Sequence, residues 1–308
     1  MIVRPRPSLL KLFFILRGSI IKQVFPQILL TGFLSSLVVL VHSVWPGVLP
    51  VFSGAPFALL GIAISIFLGF RNNACYDRWW ETRKQWGQMI FSSRHFARQT
   101  LILETAHGEA GAEARRRLVT LVIAFIQSLV PHLRAGSGRE KVERLLSPEL
   151  KARYHASRTP PEAISLEISR ELADLRAKDM LSDISYQILD KTLGELTLAQ
   201  ASCERIRWTP VPFGYTLLLH RTAHLFCLLL PFGFDDVLGW FMPFATALVA
   251  YTFFGLDALG DELEAPFGNQ PNALPIGALA DTIEINLREA LGETDLPPLP
   301  VPVDYLLM

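Results

Sequence analysis

The 48 positions from 23 to 70 contain no Asp, Glu, Lys or Arg, and this uncharged run constrains the fold most strongly. A helix needs about 20 apolar residues to cross a bilayer, so the run has room for two crossings and a turn. Several prolines and glycines between 45 and 56 provide the turn. We therefore predict one membrane span over about 28–45 and a second that begins near Pro56.

The 22 residues before this run are basic and contain no acidic side chain. Their charged residues are Arg4, Arg6, Lys11, Arg17 and Lys22. The apolar stretch among them is too short for the hydrophobic core of a signal peptide. We predict that residues 1–22 form a basic amphipathic segment at the membrane surface. Because positively charged flanks stay in the cytoplasm, the N-terminus is expected there and the uncharged turn outside.

The second predicted span carries two stripes of residues spaced four apart, so each stripe occupies one helix face. The small stripe consists of Gly61, Ser65 and Gly69, and the bulky stripe consists of Ile62, Ile66 and Phe70. Small residues let helices pack closely in a membrane, which is the role we predict for the small stripe. The bulky apolar stripe beside it can face an axis shared with other copies. The pattern thus predicts a pore-lining helix.

The remainder of the chain alternates between polar and apolar stretches. No Gly or Pro interrupts residues 71–86, so the second span is expected to continue as a helix beyond the bilayer. Two later spans, joined by a turn at Asp235-Asp236, return the chain to the cytoplasm. The predicted segments are 1–22, 23–86 with the first two spans, 87–207 as a cytosolic helical region, 208–256 with the last two spans, and 257–308 as a cytosolic helix with an extended tail.

The polar side chains of the third span allow two interpretations. Arg221 is the single formal charge of residues 209–234, and a charge within a span usually pairs with an acid. We therefore predict a structural ion pair between Arg221 and Asp257. The alternative is a membrane-bound metal-dependent enzyme, in which His220 and His224 share a helix face and bind a metal together with acids after the last span.

Other classes of function find little support in the composition. The 29 basic and 29 acidic residues cancel, which leaves no basic excess for binding nucleic acid. The three cysteines are far apart, so they form neither a disulfide framework nor a paired metal site. No motif of a nucleotide-binding loop, a serine hydrolase or a zinc protease is present. We expect no enzyme activity, no cofactor, no bound metal and no nucleic-acid partner.

Four blocks of the sequence resemble the bestrophin family in the form found in bacteria. They are P-F-A-L-L-G-I-A-I-S-I-F-L-G-F-R-N-N-A-C-Y-D-R-W-W-E, P-V-P-F-G-Y-T-L-L-L-H-R-T-A-H, P-F-G-F-D-D and A-P-F-G-N-Q-P-N-A-L-P. The resemblance implies an all-α membrane protein with four transmembrane helices per subunit and a helical cytosolic region, assembled as a homopentamer. It also implies a multi-pass protein of the bacterial inner (plasma) membrane with both termini cytoplasmic, in contact with lipids and with further copies of itself.

The same resemblance implies a function. Five copies of the second helix would form a pore neck with Ile62, Ile66 and Phe70 as its side chains, and Met180 would form a second, cytosolic constriction. A narrow apolar neck passes ions only when it widens. We therefore expect a channel that conducts small monovalent ions passively, with chloride as the family ion. The alternatives are a cation-selective (sodium/potassium) channel of the same fold, the metal-dependent enzyme, and a scaffold whose stripes only pack.

One departure from the family pattern concerns calcium. Eukaryotic bestrophins follow P-F-G with an acidic run that helps hold calcium, whereas residues 269–275 of this chain read N-Q-P-N-A-L-P. Since the acids are absent, we expect no activation by micromolar calcium.

Overall fold

The regular structure of the protein is helical. The computed structural model describes residues 1–5, 7–8, 10–11, 14–16, 18–50, 52–136 and 138–308, with the backbone alone at 235–236. Within these ranges no β-strand forms, and isolated bridges join only residues near the two termini. The all-α prediction is therefore confirmed for the described part of the chain.

The described helices follow one another with short connections. They are α1 (Ile21–Val44), α2 (Gly54–Gln99), α3 (Leu101–Leu133), α4 (Arg139–Glu143), α5 (Pro148–Ala156), α6 (Pro160–Ala177), α7 (Asp183–Trp208), α8 (Phe213–Leu238), α9 (Met242–Glu264) and α10 (Ile276–Ala290). The chain divides into two compact units. We term residues 5–79 and 210–266 the apolar unit, and residues 1–4, 80–209 and 267–308 the polar unit.

The apolar unit contains α1, the first half of α2, α8 and α9. These apolar segments form helices because a backbone in lipid must satisfy its hydrogen bonds within the segment. Helix α9 packs against α1 and α8, and Leu68, Phe226 and Phe253 belong to their shared core. Ser35 and Thr246 are buried in this packing, with their hydroxyl oxygens 3.2 Å apart and hydrogen-bonded.

The polar unit contains the end of α2 together with α3–α7 and α10. Helix α3 packs against α6 and α10. Its core face shows buried residues at a spacing of three and four, namely Leu118, Val122, Phe125 and Leu129. Serine side chains cap two of the helices: Ser147 accepts a hydrogen bond from the N–H of Leu150 in α5, and Ser182 accepts one from the N–H of Ser185 in α7.

Several predicted helix boundaries are confirmed. Helices α5 and α6 begin at Pro148 and Pro160, because proline fits the first turn of a helix. Helix α2 continues past Phe70 to Gln99, so the second span does run on without a break. A straight helix of its 46 residues is about 69 Å long, more than twice the roughly 30 Å thickness of a bilayer core.

The turn predicted at Asp235-Asp236 is wrong. The helical backbone of α8 continues through both residues to Leu238. The chain reverses instead in the 3-10 helix Gly239–Phe241, which joins α8 to α9. Gly239 has a φ of +49°, a left-handed backbone that glycine adopts without steric cost. The reversal therefore occurs where the backbone permits it rather than where two acids follow each other.

Five helices in the described part of the chain are long and apolar enough to cross a membrane, one more than predicted. In four of them, the most apolar stretch of 18 residues has 17% to 39% of its residues buried. These four are α1, α2, α8 and the segment that ends in α9. The fifth, α3, has 67% buried, and its backbone is kinked at Gly108. Because protein already covers most of α3, the four helices of the apolar unit are the better candidates for contact with lipid.

The two ends of the chain pair with each other in the polar unit. The N–H of Val3 donates to the carbonyl of Tyr305 at 2.9 Å, and the N–H of Leu307 donates to the carbonyl of Met1 at 2.9 Å. The tail after α10 is extended, as the proline spacing predicts. The tail therefore lies along the first residues of its own chain.

The basic N-terminal segment is described only in part. Arg6 and Arg17 lie outside the described residues. Leu10 and Phe14 are 78% and 82% exposed, as expected of a segment whose apolar side chains face a membrane surface. That residues 1–22 form an amphipathic segment at the membrane surface stays a prediction.

Candidate functional site

The bulky stripe lies on the exposed surface of α2. Ile62, Ile66 and Phe70 are 58%, 52% and 59% exposed. Large apolar side chains that share one face and remain exposed form a patch that water covers poorly. The stripe therefore needs lipid or another protein chain as its neighbour.

The opposite face of α2 holds the helix on the apolar unit. Its buried residues in the same stretch are Ile64, Leu68, Arg71 and Cys75, each no more than 4% exposed. With a rotation of about 100° per residue, their mean direction lies about 170° from that of the bulky stripe. The protomer thus supports α2 from behind and leaves the bulky stripe facing outward.

The small stripe packs within the protomer at one of its three positions. A Cβ atom on Gly61 would lie 3.0 Å from the ring of Phe226, so glycine lets α8 approach closely here. Ser65 donates a hydrogen bond to the Gly61 carbonyl of its own helix at 2.8 Å. A Cβ atom on Gly69 would meet no atom within 4 Å. Ser65 and Gly69 are both exposed and leave a smooth surface beside the bulky stripe.

Directly behind the bulky stripe, the buried side chain of Arg71 forms ion pairs with three acids of α9, of which Asp257 is buried and Asp261 is 60% exposed. The Arg71 side chain is 0% exposed, and its guanidinium donates to Asp257 Oδ1 at 2.7 Å. It also donates to Asp261 and lies 3.5 Å from Glu264 Oε2. The three acids are spaced at four and three residues, so they share one face of α9. We term these four residues the Arg71 cluster.

The predicted ion pair between Arg221 and Asp257 is corrected by this arrangement. Among the described residues, Asp257 pairs with Arg71 through Oδ1 and with His220 through Oδ2, at 2.7 Å in both cases. Arg221 is exposed. It follows His220 by one residue, or about 100° of helix rotation, and so lies on a different face of α8.

The sequence matches the family model described as Bacterial/Fungal Bestrophin protein over residues 1–289. The chain belongs to the bacterial and fungal bestrophin family. A relative from Mesorhizobium japonicum, named a voltage-dependent anion channel-forming protein, is 44% identical, and the match covers 99% of this chain and 96% of the relative. A relative from Salmonella typhimurium with the same descriptive name is 42% identical, and the match covers 98% of each chain.

The fold also agrees with solved structures of bestrophins. The crystal structure of a bacterial bestrophin homologue from Klebsiella pneumoniae is 39% identical in sequence and superposes with a TM-score of 0.83. The match covers 88% of this chain and 99% of that one. The family resemblance inferred from the four sequence blocks is therefore confirmed.

In this bestrophin-family chain, the two histidines of α8 are occupied by other contacts. His220 Nδ1 donates to Asp257, since an ionised carboxylate only accepts. His224 Nδ1 donates to the carbonyl of His220 at 2.8 Å, and its ring stacks on Phe254 with centroids 4.3 Å apart. The described residues contain no group of three or more His, Cys, Asp or Glu side chains placed to hold a metal. This arrangement does not favour the metal-dependent enzyme.

Met180 lies in the polar unit, in the turn between α6 and α7. Its side chain is half-buried. Its N–H donates to the carbonyl of Leu175 at 2.9 Å, and its carbonyl accepts a hydrogen bond from His107 Nε2 at 3.0 Å. Of its neighbours, Leu181 is 4% exposed and belongs to the core, whereas Ile184 is 72% exposed. The second constriction at Met180 stays a prediction, and Ile184 is the more exposed apolar side chain nearby.

Arg71 and Gly260 are candidates that the sequence reasoning missed. A Cβ atom on Gly260 would lie 2.5 Å from Asn72 Oδ1 and 3.0 Å from Arg71 Nη1, so only glycine leaves room for both side chains. A signal for the cluster was present in the sequence. Arg71 is the first charge after the uncharged run, and positions 257, 261 and 264 place three acids on one helix face.

Proposed function

We propose that the protein is a pore-forming channel that conducts small monovalent anions, chloride among them, passively through a narrow apolar neck. The observation that carries the proposal is the bulky stripe, three large apolar side chains that are each more than half exposed on the face of α2 turned away from its protomer. Rings of such side chains exclude water when they are narrow and admit ions when they widen. The names of the two relatives, voltage-dependent anion channel-forming proteins, support the choice of anions.

A single α2 cannot enclose a pore, so the proposal requires several copies around one axis. We propose a homopentamer with the bulky stripe directed inward and Ser65 and Gly69 next to a neighbouring helix. Closed rotational symmetry gives every copy the same contacts and leaves none unpaired. Chemical cross-linking of the purified protein should produce a ladder that ends at five subunits, and a ladder that ends at another number would contradict the pentamer.

We further propose that α1, the first half of α2, α8 and α9 span the inner (plasma) membrane with both termini in the cytoplasm. The basic residues before α1 and the uncharged connection between α1 and α2 support this orientation. The apolar side chains that remain exposed on these helices then contact lipid. Single cysteines in the connection 45–53 and in the tail should react with an impermeant thiol reagent from opposite sides of sealed vesicles.

Reversal potentials test the charge selectivity. Purified protein in a planar bilayer is recorded with asymmetric potassium chloride, and we expect the current to reverse near the equilibrium potential of chloride. Replacing chloride on one side by gluconate should shift the reversal potential, whereas replacing potassium by N-methylglucamine should not. Reversal near the potassium potential would instead support the cation-selective channel of the same fold. The absence of current from correctly assembled protein would contradict a channel of either kind.

A further inference from the structure

Side chains of α2 contact the backbone of α9 directly behind the bulky stripe. Phe70 is the last residue of the stripe, and Arg71 and Asn72 follow it. Arg71 Nη1 donates to the main-chain carbonyl of Asp257 at 3.2 Å, and Asn72 Nδ2 donates to that of Leu256 at 3.1 Å. Two successive side chains of α2 thus bind two successive backbone carbonyls of α9. Together with the core contacts of Ile64 and Leu68, these two hydrogen bonds fix the direction in which Phe70 points.

The helix that receives Arg71 is shaped for it. A side chain at Gly260 would collide with both Arg71 and Asn72, so the close approach of α2 depends on this glycine. The acceptor side of the cluster is also held in place. Glu264 Oε1 accepts a hydrogen bond from the N–H of Val211 at 3.1 Å, and Asp257 Oδ2 accepts one from His220. Because Asp257 and Glu264 are held by these other partners, a rotation of α2 withdraws Arg71 from both of them, whereas Asp261, whose side chain is 60% exposed, has Arg71 as its ion-pair partner.

Withdrawing Arg71 from α9 breaks several contacts together. The guanidinium binds several carboxylate oxygens at once, and its side chain is fully shielded from water. The shielded guanidinium has lost its hydration, so it is stable only while the carboxylates replace that hydration with good geometry. A small rotation of α2 therefore leaves the pairing intact, and a larger one breaks it. A two-state gate requires two arrangements, which here are Arg71 paired with α9 and Arg71 withdrawn from it.

We propose that Arg71 is the positioning residue of the gate: its ion pairs with α9 hold α2 in the rotation that keeps the neck narrow, and opening requires Arg71 to leave the cluster. Arg71 does not line the ion path, because it lies on the buried face of α2. It acts through Phe70 and Ile66, whose direction follows the rotation of the helix. This inference rests on the proposed channel function.

Single-channel recording of Arg71 variants tests the proposal, because it separates open probability from unit conductance. Arg71→Gln should raise the open probability about tenfold at unchanged unit conductance, since the closed state loses its ion pairs while the bulky stripe stays intact. Arg71→Lys should restore part of the wild-type behaviour, because one ammonium group reaches fewer carboxylates than the guanidinium fork. A side chain needed only for folding would not produce this graded change in open probability.

Lys84→Gln is the matched control. It removes one positive charge from the same helix at a position where the side chain is 57% exposed and pairs with Glu81 on the surface. Its open probability should equal that of the wild type. An increase as large as that of Arg71→Gln would overturn the proposal, because the effect would then follow from charge alone.

Two further variants keep the test decisive if Arg71→Gln fails to assemble. Arg71→Gln with Asp257→Asn removes both partners and leaves no unpaired buried charge between them. Gly260→Ala keeps every charge but displaces Arg71 and Asn72 by the added Cβ atom. Both should raise the open probability.

The outcomes also separate this proposal from the channel function on which it rests. If wild-type protein conducts and every variant keeps the wild-type open probability, Arg71 is not the positioning residue, although the channel stands. If wild-type protein does not conduct, the proposed function itself fails and the gate with it.

Discussion

Helices α2 and α3 are both apolar enough to cross a membrane, but the protein buries them to very different extents. In the most apolar 18-residue stretch of α2, 17% of the residues are buried, whereas 67% are buried in that of α3. Protein side chains cover most of α3, whereas the protomer leaves more than half of each side chain of the bulky stripe exposed. Hydropathy therefore identifies an apolar helix without identifying the medium that covers it.

The same difference separates a core residue from a candidate functional residue. Phe125 of α3 and Phe70 of α2 are both phenylalanines on apolar helix faces, and they are 0% and 59% exposed. Phe125 has a full set of protein contacts, so its role is packing. More than half of the Phe70 side chain is exposed and can contact lipid, a neighbouring copy or the contents of a pore.

The largest expected effect is on stability. Phe125→Ala should lower the free energy of unfolding by about 3–5 kcal/mol, because it removes buried contacts and leaves a cavity. Phe33→Ala in α1, where the side chain is 66% exposed, should cost less than about 1 kcal/mol, since lipid or detergent replaces what the ring loses. Chemical unfolding of the two variants in the same detergent measures the difference. Equal losses would contradict the distinction between a protein-covered and a lipid-covered helix.

A smaller effect is expected from Cys203, which is 0% exposed in the polar unit. Burial raises the pKa of its thiol to about 12. Below a pH of about 9 the thiol is protonated in both the folded and the unfolded chain. Above that pH it ionises only in the unfolded chain, so its contribution to stability should fall by about 1.4 kcal/mol per pH unit.

Comparison of wild-type protein with Cys203→Ala isolates this contribution. The free energy of unfolding of each is measured at a pH of about 8 and of about 10. The wild type should lose about 1.4 kcal/mol more than the variant over this range. Identical pH dependence would mean that water reaches Cys203 in the folded state, which would contradict its burial.

The sequence predicted the features of the fold that depend on neighbouring residues. The two stripes and the continuation of α2 to residue 86 follow from helical spacing and from the lack of Gly or Pro in residues 71–86. The further extension of α2 through Gly87 to Gln99 was not predicted. The starts of α5 and α6 follow from proline positions. Family membership was accessible because the second-span block is long and distinctive.

The features that sequence reasoning missed depend on contacts between distant residues. Arg71 and Asp257 are separated by 186 positions, and the residues around each of them do not indicate that they form an ion pair. The wrong choice of Arg221 came from its position within a span, without knowledge of which face of α8 meets α9. The turn at Gly239 was missed because it depends on one backbone angle rather than on the acids that precede it.

The central claim is that the bulky stripe lines the ion path, and the unit conductance of Phe70→Ala tests it most directly. Phe33→Ala is the matched control, because it removes a ring of the same size and similar exposure from a helix assigned to lipid. We expect Phe70→Ala to raise the unit conductance severalfold by widening the neck, and Phe33→Ala to leave it unchanged. The same unit conductance in wild-type protein and in both variants would contradict the claim.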